Sequence, residues 1–320
     1  MGSRAPATGL GRDLAVVAAI ATAILLLPLG TQSGAALHAV ILTLLATVLG
    51  QGWNILGGFG GQFSFGNALF FGVGAYAAAV LQMRLGINAW IALPLAAAAG
   101  AAVGALVGAL AFRYGLKGSY FALVTLAFAE VFRILANMLP FTGGGVGLML
   151  PLDTRAAAMQ FASRVGYLYL IGAFAVAGFL LHVWLRHSRF GAWLVAIRDN
   201  EAAAAALGVD AFRVKLAAIV LCGALTATSG LFYVQYLHYI DPNIAFGPAF
   251  SVEALLGPIV GGMGTVFGPL VGAIVLHALS ESTRNLVADV PGVSLALYGA
   301  VLIVMVRYMP GGIMGLLRRR

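Results

Sequence analysis

A chain of 320 residues that is 62% hydrophobic and only 9% charged, with a mean hydropathy of +1.00, is not a soluble globular domain, since those carry about 25% charged residues. Its net charge of +8 does not point to nucleic acid, because the basic residues fall between apolar runs and at the ends rather than in a patch interleaved with aromatics. The runs lack the apolar/polar alternation of a membrane β-barrel, so the composition specifies an all-α integral membrane protein.

Ten apolar runs are long enough to cross a hydrocarbon core of about 30 Å. They fall at 14–30, 37–53, 63–83, 89–112, 119–139, 166–185, 215–236, 251–264, 269–285 and 294–309, in one transmembrane domain covering 1–320. The first follows Arg4 and Arg12 and reads as an uncleaved signal anchor.

Leading into the third run is "NILGGFGGQFSFGNALFFGVGAYAAA", Asn54 to Ala79, which sets Asn54, Gln62, Ser64 and Asn67 among glycines. Polar groups and irregular backbone at membrane depth face protein or a water-filled route. Gln62, Ser64 and Asn67 are therefore candidates to line a substrate path. The alternative is close helix packing through small residues, with the polar groups bonded across helices.

The fifth run places Glu130 and Arg133 three residues apart, hence on one helix face. An unpaired charge in hydrocarbon is costly, so they read as an intramembrane pair that neutralises itself within the bundle; the alternative is a proton relay. An outer loop at about 140–165 follows, with "TGGGVG" as a turn or as a contact for a delivery protein.

Charge concentrates in the connector at about 186–214. Its stretch "RDNEAAAAALGVDAFRVK" holds Arg198, Asp199, Glu201, Asp210, Arg213 and Lys215. Asp199 or Asn200 can cap a helix that Glu201 and the alanines continue and Gly208 ends. So short a helix is marginal alone in water. With little apolar surface beyond alanine methyls and Leu207, it needs a surface to dock on, either its own spans or a motor subunit.

The eighth and ninth runs are broken by "GPIVGGMGTVFGPLVGA", Gly257 to Ala273. It loosely echoes the first glycine-rich segment, and paired interruptions in two halves point to a substrate route. Gly261, Gly262 and Gly264 are thus a second set of path candidates. His38, His182 and His277 stand singly in apolar runs, Cys222 reads as packing, and no spacing matches a metal site.

Thirteen of the eighteen Lys and Arg residues lie on one side if the N-terminus is cytoplasmic, four lie on the other and Arg133 lies within a span. This asymmetry puts both termini and the connector inside. No P-loop, nucleophile elbow or zinc-protease helix occurs, and Lys117 and Lys215 are the only lysines, so no catalysis or nucleotide binding is expected of this chain.

Five stretches, "GGQFSFGNALFFGVGAYAAA", "LKGSYFALVTLAFAEVFRIL", "TGGGVGL", "RDNEAAAAALGVDAFRVKLAA" and "VGGMGTVFGPLVGA", together resemble the LivM-type permeases of branched-chain amino acid ABC importers, in the family's order. The resemblance implies a transport subunit of the bacterial inner membrane, without bound cofactor, paired with a LivH-like permease. Two ABC ATPase subunits holding ATP and Mg would drive it, and a periplasmic binding protein would deliver substrate. By the same resemblance Arg198, Asp199, Asn200, Glu201, Leu207 and Gly208 form the helix that couples to the ATPase. In the usual short form of that loop the glycine comes one position sooner than here, where Gly208 follows Glu201 by seven. Cargo within such systems extends to urea, short amides and other small carboxylates; an ion-coupled secondary transporter and a purely structural partner are the readings outside this class.

Overall fold

The structure, a computed structural model, describes residues 8–30, 33–153, 155–286, 299, 303 and 311–318. Helices α1 (Thr8–Gly30), α2 (Gly34–Trp53), α3 (Asn67–Leu85), α4 (Ala89–Arg113), α5 (Gly118–Met138) and α6 (Arg164–His187) lead to the connector helix α7 (Arg189–Ala206). After it come α8 (Ala211–Leu237), a short α9 (Pro242–Ala245), α10 (Pro248–Gly261), α11 (Gly268–Leu286) and α12 (Gly312–Arg318). A π-helical turn, Asn54–Phe59, extends α2.

Local chemistry sets several boundaries. The Asn88 side chain accepts from the Trp90 amide and starts α4, and Asp210 does the same for α8 through the Arg213 amide. Gly86, in the left-handed region at φ 64°, closes α3.

Among the described residues, eight helical segments are long and apolar enough to cross a membrane: Gly9–Gly30, Gly34–Phe59, Asn67–Leu85, Ala89–Arg113, Gly118–Met138, Arg164–His187, Ala211–Leu237 and Pro242–Gly261. They correspond to the first eight expected runs. Several shift at their edges: the first begins earlier, at Gly9, and the second runs on to Phe59 through the π-helical turn. The third begins only at Asn67, because residues 63–66 are irregular, and the eighth extends back to Pro242. The ninth expected run, 269–285, falls in α11, which is not among the eight and carries Glu281 and Arg284 toward its end. The tenth, 294–309, lies almost wholly outside the described residues.

The loops sort onto two faces. Strands β1 (Leu148–Met149) and β2 (Tyr239–Ile240) pair antiparallel, with Leu148 opposite Ile240, and bring the loop after α5 to the end of α8. On the opposite face the buried Asp13 carboxylate holds Arg186 and His187, each at 3.0 Å, joining the start of α1 to the end of α6.

Close helix contact in the interior depends on missing side chains. A Cβ on Gly100 of α4 would strike the carbonyl of Gly223 on α8, and one on Gly223 would strike that of Gly100. Backbones that approach so closely gain dispersion contact where lipid offers no hydrophobic drive. One apolar core joins α3, α4, α5, α7 and α8, and a second joins α1, α2, α6, α8 and α10.

Candidate functional site

The connector begins at Ser188, whose side chain accepts from the Gly191 amide at 3.1 Å. Its helix breaks at Asn200, where φ −159° and ψ 102° are extended rather than helical. Asn200 Oδ1 accepts from the Ala203 amide at 3.0 Å, so Asn200, not Asp199, caps a new short helix. That helix ends as the sequence requires. The Gly208 amide donates to Ala205 O at 2.9 Å and the Val209 amide to Ala204 O at 3.1 Å, with Gly208 at φ 86°. This pair of bonds around a left-handed glycine is the Schellman closure.

The short helix has two distinct sides. Leu207 is 85% exposed, with the alanines at 202, 203, 205 and 206 exposed beside it and open space around Gly208. Inward, Ala204 is buried and Glu201 is fully engaged. One carboxylate oxygen lies 2.7 Å from Lys215 Nζ and the other 2.9 Å from Lys117 Nζ. The Lys215 side chain is 3% exposed, and its ammonium also sits over the Phe112 ring, 5.1 Å from the centroid. Burial alone would raise the Glu201 carboxyl, but the hydrogen bonds and charges of Lys215 and Lys117 outweigh it and hold the group below the usual carboxylate range.

Arg198 also turns inward. Its Nη1 donates to Gly58 O at 3.0 Å, and Nε lies 3.2 Å from the exposed Asp199 carboxylate. Gly58 belongs to the first glycine-rich segment, and the second segment lies directly against it. Asn54 Nδ2 donates to Thr265 O at 3.0 Å, while the Gly264 amide donates to Asn54 Oδ1 at 2.9 Å. The two glycine-rich segments, far apart in sequence, are thus in direct contact in the fold. Thr265 Oγ1 donates to Gly262 O and accepts from the Gly268 amide, which starts α11. Gly261 allows the turn because a Cβ there would run into the backbone of Gly268.

The three polar path candidates are enclosed within the chain. Ser64 and Asn67 are buried; Ser64 Oγ accepts from the Gly66 amide, and Asn67 Oδ1 faces Cys222 Sγ at 3.7 Å. Gln62 Nε2 donates back to Gly60 O at 3.3 Å. What this segment shows to the outside is Phe63 and Phe65. They border an apolar groove of about 440 Å³ shared with Ser119, Ala122, Leu123 and Leu126 of α5.

Glu130 and Arg133 do pair, with Arg133 Nε 2.9 Å from Glu130 Oε2 and Nη1 2.6 Å from Asn243 Oδ1. Their position corrects the expectation of a pair within the bundle. The pair lies on the outward face of α5, with side-chain exposures of 51% and 30%, because α5 buries its other side, Phe121, Ala122, Thr125 and Ala129, against the core. On the face away from the connector, a cleft of about 400 Å³ is lined by Asn88, Leu150, Pro151, Asp153, Arg155 and Gln160. The hydrogen bond from Arg155 holds the Asp153 carboxyl low there.

Asn54 is legible in the sequence only as one of the polar residues of its segment, and no motif there marks Thr265, Lys117 or Lys215 for a role. The signal available for the last two was that they are the only lysines in the chain.

Eight membrane-length helices among the described residues, two glycine-rich breaks in contact and a connector helix bare on its outer side are the architecture of a polytopic membrane protein of the permease class. More narrowly, the chain belongs to the family of permease components of branched-chain amino acid transport systems, whose profile matches residues 35–306. It is 30% identical over 306 residues to the high-affinity branched-chain amino acid transport system permease protein LivM of Escherichia coli, covering 87% of this chain and 69% of that one. The L-arabinose ABC transporter permease protein AraH of Azospirillum brasilense is 30% identical over 168 residues, 50% of this chain and 47% of its own. The E. coli permease LivH of the same branched-chain system is 27% identical over 135 residues, 42% of each chain. No solved structure shows a significant match.

Proposed function

We propose that this chain is the transmembrane permease subunit of an ABC importer that carries leucine, isoleucine and valine across the bacterial inner membrane by alternating access. The observation that carries the reading is the likeness to LivM over 87% of the chain, and the capped, outwardly bare helix 201–207 agrees with it. The chain itself is not an enzyme and binds no cofactor. ATP and Mg belong to two ATPase subunits, one of which docks on Leu207 and the alanines beside it.

A second permease, LivH-like, completes the pair, and a periplasmic binding protein delivers substrate to the face that carries the Asp153–Arg155 cleft. The termini and the connector are cytoplasmic, in keeping with the Lys and Arg asymmetry. ATP closure of the motor supplies the differential free energy between inward-open and outward-open states, which substrate alone need not provide. The likeness to LivM covers 87% of this chain against 50% for AraH, and so supports a LivM-like rather than an AraH-like cargo.

Proteoliposomes holding this chain with its permease partner, ATPases and binding protein test the reading. ATP-dependent uptake of radiolabelled leucine that excess valine blocks, and that arabinose, urea and acetamide leave intact, is the expected result. Competition by one of those three would keep the importer and replace the cargo, and uptake by this chain alone on an ion gradient would overturn the assignment.

A further inference from the structure

We infer that Asn54 and Arg198 form the joint through which movement of the connector reaches the membrane helices: Asn54 staples the two glycine-rich breaks together and Arg198 ties that staple to α7. The inference rests on the reading of 201–207 as the helix that docks on the ATPase, and names the route by which its displacement is transmitted.

Asn54 spends both ends of its carboxamide on one short turn far away in sequence, donating to Thr265 O at 3.0 Å and accepting from the Gly264 amide at 2.9 Å. Such a two-point bond fixes position and orientation, so the end of α2 and the α10–α11 turn move as one body. The glycines make the arrangement possible. A Cβ on Gly58 would collide with the Asn54 carboxamide, and Gly264 sits at φ 68° with its open side against Gly58 O and the Arg198 guanidinium. Arg198 closes the assembly. Its Nη1 holds Gly58 O, and its aliphatic stem lies where a side chain on Gly61 would be.

The position of Arg198 along the connector makes this a transmission element. It precedes the break at Asn200, and Glu201 follows the break. A push on 201–207 therefore divides at the kink. On one side it reaches α8 and the start of α5 through Lys215 and Lys117; on the other it reaches α2 and the α10–α11 turn through Arg198. There is room for the second movement. A cavity of about 350 Å³, bordered by Phe59, Leu185, Arg186, Val195, Thr265 and Val266, lies beside the joint, so the turn can shift without displacing a close-packed core. The rival account is local: a guanidinium satisfying carbonyls at the end of the π-helical turn, as basic groups do at helix C-termini.

The two accounts separate in the assembled complex of both permeases, ATPases and binding protein, with Met263→Cys as a reporter on the exposed turn; the native Cys222 is buried. Labelling of the reporter by a membrane-impermeant maleimide is compared with and without trapping by ATP and vanadate. The labelling rate is expected to change on trapping when Arg198 and Asn54 are present. The change should vanish in Arg198→Ala and in Asn54→Ala and return in part in Arg198→Lys, with the ATPase still bound. Leucine imported per ATP hydrolysed should fall about tenfold in Arg198→Ala, the scale of one lost charge-assisted hydrogen bond, and by a similar factor in Asn54→Ala, which loses two neutral ones.

A full trapping response with a wild-type transport ratio in Arg198→Ala would overturn the inference, as would release of the ATPase from an intact Arg198→Ala permease pair, which would make Arg198 a docking residue. Arg198→Gln, which keeps a donor without the charge, gives the same reading in a milder background. Failure of the parent reading looks different: the reporter chain with Arg198 and Asn54 intact would neither retain the ATPase nor respond to trapping, and both readings would fall together.

Discussion

Glu201 and Lys215 are joined at 2.7 Å across the root of the connector, with the lysine side chain 3% exposed and the second carboxylate oxygen taken by Lys117. An ammonium at that depth is tolerable only while its carboxylate is present. Glu201→Gln should therefore cost about 3 kcal/mol, the scale for breaking a buried pair, read as a fall in the unfolding midpoint of the detergent-solubilised permease. Glu201→Gln with Lys215→Met should recover much of it. A wild-type midpoint in Glu201→Gln would show that the link contributes nothing, and no recovery in the double variant would show that the stranded ammonium is not the cause of the loss.

The same pair fixes a pH dependence. Because the Glu201 carboxyl is held below its ordinary value in the folded chain, its stabilising contribution is fully present above the unfolded value of about 4.3 and is lost as pH falls through the lower folded value. Protease cutting of the connector should stay flat from neutral pH to about 5 and rise only below the ordinary carboxylate range. In Glu201→Gln it should be raised at every pH. A wild-type rise that begins near neutrality would show that another group controls the connector.

Leu207 lies in the open, so its substitution should leave the fold alone. Leu207→Asp is expected to change permease stability by no more than about 0.5 kcal/mol. Recovery of the ATPase in co-purification should fall at least tenfold, roughly the effect of losing one interface anchor. Unchanged recovery would remove Leu207 from the docking surface.

Gly100 and Gly223 set the spacing of α4 and α8 by backbone contact. Gly100→Val should destabilise by about 1–3 kcal/mol or more, since overpacking a filled interior forces backbone shifts. The fraction of monodisperse protein after solubilisation checks this, and a wild-type yield and unfolding midpoint would contradict the close packing.

Ser64 and Phe65 separate packing from transport. Ser64 is buried and Phe65 borders the open groove. Ser64→Leu should lower stability by about 1–3 kcal/mol, whereas Phe65→Glu should leave stability near wild type and reduce leucine uptake. Reduced leucine uptake in Ser64→Leu at wild-type stability would instead support a substrate path along the polar residues.

The amino-acid sequence by itself determined the membrane class, the first eight spans and the short connector helix. These follow from apolar run length and from local bonds, such as the Asn200 cap and the Gly208 closure, whose partners lie within a few residues along the chain. What lies at long range only the tertiary structure decided. Asn54 meets Gly264 and Thr265, Arg198 meets Gly58, and Glu201 lies between Lys117 and Lys215, because helix packing sets which faces meet and no periodicity in the chain encodes that. The same holds for orientation. Glu130 and Arg133 are recognisable as a pair from their spacing, but α5 exposes them because its small and aromatic side, Phe121 to Ala129, is the one that fits the core. Ser64 and Asn67 are recognisable in the chain as polar residues among glycines, but that they face the interior while Phe63 and Phe65 lie outside is set by the packing around the irregular turn at 63–66.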